Sequence, residues 1–345
     1  MASIPIISIS PLFAAHKGTK SVDEAIAKAA FDIGFMIVNG HPSELPVGQF
    51  ERELLLKIFE LTDEDARSLW KRNFAPENEH IYRGWFPLSS SKARNREGFE
   101  IGPDILRAIP AGCNDDLLYE ATPFPSESQL PDGWRVAAKG YYSGMERIGN
   151  AILASISRSL HISETIFEDA FRDGISTLRL LHYPGRDQQE QLPEDVPDRN
   201  VEIGGVRKEQ VSRAHVDSGL LTILAVCGVD GLQVQNSDGN WQDVPLVEDS
   251  FVINFGGLLE RWIGGKIKAT RHRVIGQNQK RYSVPFFFEP RPSTLIEPLP
   301  ITGIEPFEPF LYGDHLWATT TKFIENYGLE HLRPPRAPYT DPLAS

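Results

Sequence analysis

The chain has 345 residues and a formal charge of −12 at pH 7, because 47 Asp and Glu outnumber 35 Lys and Arg. This acidic balance, without clustered basic side chains, argues against a nucleic-acid-binding protein, since phosphate backbones are bound by Lys and Arg. The only cysteines, Cys113 and Cys227, are too few for a disulfide framework or a cysteine zinc site, which is typical of a reducing compartment.

The sequence has no uncharged apolar run near the ~20 residues that are needed to span a bilayer. Its N-terminus lacks a basic leader and is interrupted by Pro5 and Pro11, which is atypical of a signal peptide. We therefore expect a cytoplasmic protein without membrane contact. The sequence leaves the oligomeric state open.

The first forty residues predict a strand, a helix and a second strand. Apolar runs at residues 4–9 and 35–38 are typical of short strands, and the second run ends in the turn signal Asn39-Gly40. Between them, Ser21 is a candidate N-cap for a helix that stops near Gly34.

Two further helices and a long irregular segment are predicted next. The helices are expected over residues 47–59 and after Thr62, which precedes an acidic first turn. Residues 73–132 are punctuated by Pro and Gly, so they are interpreted as connecting loops, with a substrate-facing lid as the alternative.

The strongest helix prediction covers residues 134–161. Its apolar residues recur with a 3.6-residue period over about seven turns. Such a stripe is typical of core packing, and we interpret this helix as the support of a sheet. The stripe is Tyr141, Met145, Ile148, Ile152, Ile156 and Leu160.

After Ser176 the pattern changes to short apolar runs separated by turn signals, which indicates a β-sandwich or barrel. Residues 236–240 predict a hairpin turn with Asp-Gly at its centre. The polar insert at 186–210 is interpreted as a solvated loop, with a mobile flap as the alternative, and a helix is expected over 313–327. The runs lie at residues 178–183, 220–227, 232–235, 241–244, 251–255, 270–275 and 282–288.

Three polar side chains in this region have the chemistry of a metal site. On a strand, His215 and Asp217 would project from the same face, while Val216 points into packing. His272 would face inward between two arginines, which completes two imidazoles and one carboxylate. This set leaves three positions open on non-haem Fe(II), although zinc with the same ligands is the rival interpretation.

A cationic and a hydroxyl side chain follow His272 by nine and eleven residues. Alternation turns Arg281 and Ser283 to one face, where they form a two-point clamp suited to a carboxylate. A dicarboxylate co-substrate fits this clamp, which favours iron over zinc.

These residues resemble the isopenicillin N synthase-like Fe(II)/2-oxoglutarate-dependent dioxygenases, and the resemblance covers most of the chain. The N-terminal matches are Asp32-Ile33-Gly34-Phe35, Asn39-Gly40-His41 and Tyr82-Arg83-Gly84-Trp85. The catalytic matches are the segment His215-Val216-Asp217-Ser218-Gly219-Leu220-Leu221-Thr222-Ile223-Leu224, Gly231-Leu232-Gln233-Val234, Asn254-Phe255-Gly256, His272-Arg273-Val274 and Arg281-Tyr282-Ser283-Val284-Pro285.

The resemblance implies an α+β fold with a double-stranded β-helix, also called a jelly roll or cupin-like core, and flanking helices. It implies a mixed α/β region over residues 1–130 and a helix plus jelly-roll catalytic region over 131–345, together one compact unit. In such an enzyme, oxidative decarboxylation of 2-oxoglutarate to succinate and CO2 with O2 is coupled to oxidation of a small organic substrate.

The resemblance also implies residue roles. His215, Asp217 and His272 would ligate Fe(II), and Arg281 with Ser283, assisted by Tyr183, would hold the distal carboxylate of 2-oxoglutarate. By family position the pocket-wall candidates are Arg83, Trp85, Phe99, Glu100 and Leu181. The family commonly has Asn at the position of Leu181, so this chain lacks a polar contact near the metal.

Three alternatives stay open at this point. A few relatives use the Arg-x-Ser clamp for the carboxylate of the substrate itself, without 2-oxoglutarate. A jelly-roll protein that binds a ligand without turnover is a second possibility, and a zinc hydrolase is a third, disfavoured because no general base stands beside the ligands. Neither the substrate nor the outcome, whether hydroxylation, desaturation or ring closure, follows from the sequence.

Overall fold

The computed structural model describes residues 3–14, 18–88, 96–185, 200–276 and 279–343, and within them most strands are short and apolar on at least one face. In chain order the strands are β1 (Ile6–Ser8), β2 (Phe35–Asn39), β3 (Gly84–Phe86), β4 (Glu97–Ile101), β5 (Thr177–Tyr183), β6 (Asn200–Ile203), β7 (Val206–His215), β8 (Leu221–Cys227), β9 (Leu232–Gln235), β10 (Trp241–Asp243), β11 (Phe251–Phe255), β12 (His272–Ile275), β13 (Arg281–Phe288), β14 (Leu295–Ile296) and β15 (Phe310–Leu311).

The helices occupy the N-terminal half and the connections after the catalytic strands. They are α1 (Thr19–Asp32), α2 (Gln49–Leu56), α3 (Asp63–Ser68), α4 (Trp134–Leu160), α5 (Thr165–Phe171), α6 (Gly257–Trp262) and α7 (Tyr312–Thr320). None of these described helices is both long enough and apolar enough to cross a membrane.

The strands form two main sheets, which make up the predicted jelly-roll core. The larger sheet has eight strands in the order β1-β2-β11-β8-β13-β5-β4-β3, and the smaller has five in the order β10-β9-β12-β7-β6. A cluster of buried apolar side chains joins them, with Phe35, Ile37 and Val252 from the larger sheet and Leu232 and Val234 from the smaller. The two sheets therefore enclose a common interior, as a jelly roll does.

Helix α4 supports the larger sheet, as the sequence predicted. Its apolar stripe lies in the same core cluster as strands β8, β11 and β13, buried throughout except at the partly buried Leu160. The helix comes very close at Gly149, where an added Cβ would lie 2.6 Å from the ring of Phe288. Since any larger residue would push helix and sheet apart, Gly149 sets this packing distance.

Two of the N-terminal predictions needed correction, and a third is confirmed. Ser21 is not an N-cap: α1 begins at Thr19 after Gly18, whose φ of 98° reverses the chain there. The predicted helix at 47–59 is shorter, because α2 ends at Leu56 and a tighter 3-10 turn follows. The Thr62 cap is confirmed, with its hydroxyl accepting a hydrogen bond from the Asp65 N–H at 3.1 Å.

Two segments interpreted as loops contain strands. Within 73–132, β3 and β4 form one edge of the larger sheet, and residues 200–210 belong to the antiparallel β6–β7 pair. Residues 186–199 of the insert lie outside the described residues, so the loop and flap interpretations of that part are not addressed.

The C-terminal helix is shorter than the predicted 313–327. Helix α7 ends at Thr320, in a run of three threonines. The hydroxyls of Thr319 and Thr321 donate back to carbonyls of the helix, and β-branched residues lose side-chain freedom there, so the helical pattern is not continued.

Candidate metal centre

The ligand atoms of His215, Asp217 and His272 all lie within 4.8 Å of one another. The Oδ1 atom of Asp217 is 3.4 Å from Nε2 of His215 and 3.7 Å from Nε2 of His272. The residues that the sequence predicted to converge therefore do so, with two nitrogens and one oxygen facing a common point.

Strand pairing positions the two histidines. His215 is the last residue of β7 and lies opposite His272, the first residue of β12, in an antiparallel pair. Their rings are 4.3 Å apart between centroids. The prediction that His272 faces inward is confirmed, since it is buried.

Asp217 lies on a different element from the one predicted, although its side chain still faces the metal centre. Strand β7 ends at His215, so Asp217 lies in the following turn, and Val216 is exposed rather than packed. The backbone of this turn is held by the start of α6, where the Gly257 N–H donates to the Asp217 carbonyl at 2.7 Å. From the other side, Nε2 of His315 on α7 lies 3.0 Å from the Ser218 carbonyl.

The second oxygen of Asp217 is fixed by neighbouring strands. Its Oδ2 accepts hydrogen bonds from the Thr222 hydroxyl and the Asn254 amide, both at 2.7 Å. Burial alone would raise the pKa of this carboxyl, but the two imidazoles and these hydrogen bonds hold its pKa well below the usual range. Asp217 is therefore ionised.

Each imidazole is oriented by a backbone carbonyl. Nδ1 of His215 lies 2.7 Å from the Arg213 carbonyl, and Nδ1 of His272 lies 3.1 Å from the Thr270 carbonyl. A carbonyl only accepts, so these contacts place the proton on Nδ1 and leave the Nε2 lone pair for a ligand bond. Burial lowers the pKa of His272, although Asp217 opposes this, and so favours the neutral, coordinating form.

This donor set fits a first-row divalent metal ion. Two neutral imidazoles and one carboxylate, each aligned by a second hydrogen bond, leave open positions for further ligands. The three side chains line a cleft of about 240 Å³ that extends between the two sheets.

One wall of the cleft is formed by β5 and β13. Thr177, Arg179, Leu181 and Tyr183 alternate along β5 and all line it. Ser283 of β13 also lines the cleft and pairs with Leu181. The metal centre therefore faces a strip of side chains that runs along a single strand.

Arg281 lies at the end of this strip. It pairs with Tyr183 across the β13–β5 ladder, and its guanidinium is 5.3 Å from the centroid of the tyrosine ring. Arg281 is buried, its Nη1 donates weakly to the Asp230 carbonyl at 3.4 Å, and its Nε has no partner among the described residues. A buried cation with an unused donor is suited to an anionic ligand.

The pocket-wall candidates are divided between the cleft and the core. Glu100 and Leu181 line the cleft. Trp85 and Phe99 belong to the main hydrophobic core, and the buried Arg83 donates to the Thr177 hydroxyl and the Ile175 carbonyl. The structure thus brings two of the five to the cleft surface.

Sequence reasoning missed several residues of the site. Thr222, Asn254 and His315 contact the Asp217 turn, and Arg179 lines the cleft. For Arg179 a signal was present, since it shares the alternating face of Leu181 and Tyr183. The bond between Asn254 and Asp217 spans 37 residues and has no local signature.

Comparison with known proteins agrees with this geometry. The model of the 2OG-Fe(II) oxygenase superfamily matches residues 175–290, a segment that contains the three clustered ligands, Arg281, Ser283 and Tyr183. A 2-oxoglutarate-dependent dioxygenase of Aspergillus rugulosus, htyE, is 30% identical over 305 residues, which cover 80% of this chain and 86% of that protein.

An isopenicillin N synthase of Streptomyces clavuligerus is 27% identical over 321 residues, which cover 91% of this chain and 94% of the synthase. Among solved structures, a full-length Neurospora crassa protein in complex with alpha-KG and thymine superimposes with a TM-score of 0.75 at 22% identity. This superposition covers 93% of this chain and 97% of the Neurospora protein, and it shows a shared fold.

Proposed function

The chain belongs to the 2OG-Fe(II) oxygenase superfamily, and from this premise we propose that His215, Asp217 and His272 are the residues that hold its Fe(II). The enzyme is an Fe(II)- and 2-oxoglutarate-dependent oxygenase that oxidises a small organic substrate. When bound, Fe(II) with O2 and 2-oxoglutarate supplies the oxidising power, while 2-oxoglutarate is converted to succinate and CO2.

The observation that carries the proposal is the convergence of the three ligand atoms at a cleft. In the proposed role, Asp217 supplies the anionic ligand, and the bonds from Thr222 and Asn254 keep its Oδ1 turned toward the two imidazoles. The Nδ1 contacts of both histidines set the tautomer whose Nε2 lone pair can bind the metal. Burial opposes protonation of His215, but Asp217 raises its pKa, so metal binding there would displace a proton.

Arg281, Ser283 and Tyr183 are proposed to hold the distal carboxylate of 2-oxoglutarate. The hydroxyls of Tyr183 and Ser283, which line the cleft, would orient the carboxylate, and Arg281, which pairs with Tyr183 without itself lining the cleft, would supply the charge. Leu181 lies between this end and Arg179, and its apolar side chain is proposed to border the substrate rather than the keto acid.

The proposed setting is a reducing, cytoplasmic compartment. Both Cys113 and Cys227 are unpaired, which supports this proposal.

The test is an anaerobic titration of the purified protein with Fe(II) and then 2-oxoglutarate. We expect a visible charge-transfer band only after 2-oxoglutarate is added, and succinate formation once O2 and a substrate are supplied. Bound iron that gives no band with 2-oxoglutarate would instead indicate an oxidase that does not use this co-substrate.

Asp217→Ala tests the ligand assignment. We expect it to abolish turnover and to weaken Fe(II) binding while the circular dichroism spectrum is retained, because one anionic ligand is removed from an otherwise packed core. Asp238→Ala, in the exposed β9–β10 turn, is the matched control. Full activity of Asp217→Ala would falsify the assignment.

A further inference from the structure

Arg179 lies on the cleft wall beyond Leu181, on the side away from Arg281. Tyr183, Leu181 and Arg179 follow one another on the same face of β5. With a rise of ~3.3 Å per residue, Arg179 is roughly 13 Å from Tyr183 along the strand. This distance places Arg179 past the proposed 2-oxoglutarate site, where the remainder of the cleft is open to a second small molecule.

Arg179 shares its carboxylate partner with a second cation. Its Nε and Nη2 donate to Oε1 of Glu100 at 2.8 and 2.5 Å, and the wholly buried Lys71 contacts Oε2 of Glu100 at 2.5 Å. Two cations thus surround one carboxylate, which leaves an excess positive charge in a buried position. Such a charge is costly unless an anion compensates it.

The neighbouring ionic groups do not remove this excess. Arg96 and Glu325 lie 3.7 Å apart and cancel each other, and the buried Arg83 adds another cation. Burial raises the pKa of Glu289 to about 7, so this carboxyl is only partly ionised at neutral pH. We call the following set the charged wall: Lys71, Arg83, Arg96 and Arg179 with Glu100, Glu289 and Glu325. With Lys71 protonated, the charged wall has four cations against three carboxylates, and burial, which lowers the pKa of Lys71 although Glu100 opposes this, acts against the excess charge when no anion is bound.

The Arg179 guanidinium is fixed and retains a free edge. Its central carbon is 5.0 Å from the ring centroid of Phe287 and 5.7 Å from that of Phe86. The hydrogen bonds to Glu100 use Nε and Nη2, and within the described ranges Nη1 has no hydrogen-bond partner. Because the side chain keeps 23% of its surface exposed, this edge is accessible from the cleft.

Apolar side chains also line the cleft, namely Leu181, Phe287, Leu316 and Phe323. Of the charged wall, Arg96, Arg179, Glu100, Glu289 and Glu325 reach the cleft surface, while Lys71 and Arg83 are buried behind it. A ligand that matches both surfaces therefore carries one negative group and a hydrocarbon body.

We propose that the substrate is an organic acid with an apolar body, whose single carboxylate binds Nη1 of Arg179. The apolar body then lies along Leu181 and Phe287 toward the metal centre, so that a carbon remote from the carboxylate is the one oxidised. The inference rests on the proposed function, since it needs the metal at His215, Asp217 and His272. An excess of one positive charge matches one carboxylate rather than a doubly charged phosphate.

The test measures binding of matched acid and amide pairs to protein loaded anaerobically with Fe(II) and 2-oxoglutarate. The probes are phenylacetate, 3-phenylpropanoate and octanoate, each with its primary amide, and 2-phenylethylamine as the cationic probe. In isothermal titration calorimetry we expect at least one acid to bind at least tenfold more tightly than its amide, because only the acid gains a charge-assisted bond.

Arg179→Gln tests whether this preference belongs to Arg179. We expect the variant to bind acid and amide with similar affinity, whereas Arg179→Lys retains part of the preference because it keeps the charge. Arg172→Gln is the control, since Arg172 is exposed on the C-terminal side of α5, outside the cleft. A merely structural role for Arg179 would weaken both members of a pair equally.

Two results overturn the inference: no acid binds more tightly than its amide or than the amine, or Arg179→Gln retains the wild-type preference. The charge-transfer band with 2-oxoglutarate is recorded separately on the same samples. If the band forms and the acids show no preference, only the inference fails. If the acids are preferred and no band forms, the proposed function fails.

Discussion

Asp217 uses its two oxygens for different purposes. Oδ1 faces both histidines, while Oδ2 accepts from Thr222 on β8 and Asn254 on β11. The two donors come from adjacent strands, so the orientation of the carboxylate is fixed by the sheet rather than by its own turn. Partners of this kind commonly contribute 10- to 100-fold to metal affinity.

Thr222→Val removes one of these donors with almost no change in shape. We expect the dissociation constant for Fe(II) to rise by roughly tenfold, because Oδ2 loses a hydrogen bond that orients the ligand. Anaerobic competition with a chelator measures the change. Thr294→Val, which removes a buried hydroxyl bonded to the Ala170 carbonyl, is the control, and equal affinities of the two variants would contradict the proposed role of Thr222.

Among single residues, the sequence predicted those site residues whose role follows from their near neighbours in the chain. His215 and Asp217 are two residues apart, and His272 stands in a recognisable strand, so their types and spacing indicated a metal site. Thr222 and Asn254 acquire their role only when β8 pairs with β11. The turn that carries Asp217 was mistaken for a strand, because alternation and a tight turn can both bring residues two apart together.

Among the elements, β5 and β13 carry the proposed binding surfaces of the cleft. Their antiparallel register places Arg281 opposite Tyr183 and Ser283 opposite Leu181. A one-residue shift of β13 against β5 would turn Arg281 and Ser283 to the other face, away from Tyr183 and Leu181, so this register determines where an anion can bind.

Arg281→Ala tests the carboxylate end of this strand pair. We expect the dissociation constant for 2-oxoglutarate, taken from titration of the charge-transfer band, to rise roughly 10- to 100-fold, the effect of losing a hydrogen bond to a charged group. Arg281→Lys should recover part of the loss. Unchanged affinity in Arg281→Ala would remove this residue from the proposed 2-oxoglutarate site.

Elements with a clear apolar period were predicted well, and polar or very short ones were not. Helix α4 and strands β8, β9, β11 and β13 match their predicted positions within about two residues. The β6–β7 pair was missed because most of its side chains are polar and only half-buried, so backbone pairing rather than hydrophobicity holds it. The six-residue helix α6 is too short to show a period.

At the scale of the whole molecule, the buried Glu289 affects stability. It follows β13, and its Oε2 has no hydrogen-bond partner among the described residues. Burial raises its pKa from an ordinary value of 4.5 to about 7. Between these two values the unfolded chain releases a proton that the folded protein keeps, so this group lowers the stability of the fold as pH rises.

Glu289→Gln removes this pH dependence. We expect the variant and the wild type to differ little in melting temperature at pH 5, and the variant to be more stable by up to about 3 kcal/mol at pH 8. Thermal unfolding at both pH values measures the difference. Glu305→Gln, at an exposed position, is the control and should have the melting temperature of the wild type at each pH. If the melting temperature of Glu289→Gln also changed with pH as that of the wild type does, the proposed effect of Glu289 on stability would be excluded.

We propose that the predicted regions 1–130 and 131–345 form a single unit. The strands of the first region are β1 to β4, and they occupy both ends of the eight-stranded sheet, with β8, β11, β13 and β5 between them. Helix α1 also contacts α4 of the second region. The N-terminal region therefore completes the sheet that carries the cleft wall.

This arrangement has a consequence for how the protein is made. Val38 of β2 pairs with Phe251 of β11. Since β11 is synthesised much later than β2, β2 lacks this sheet partner while the chain emerges from the ribosome. During that interval only packing against α1 shields the apolar faces of β1 and β2 from solvent. Misassembly of the nascent chain should therefore begin at this side of the sheet, which also carries Phe35 beside His272, and a chaperone that shields it would raise the yield of active enzyme.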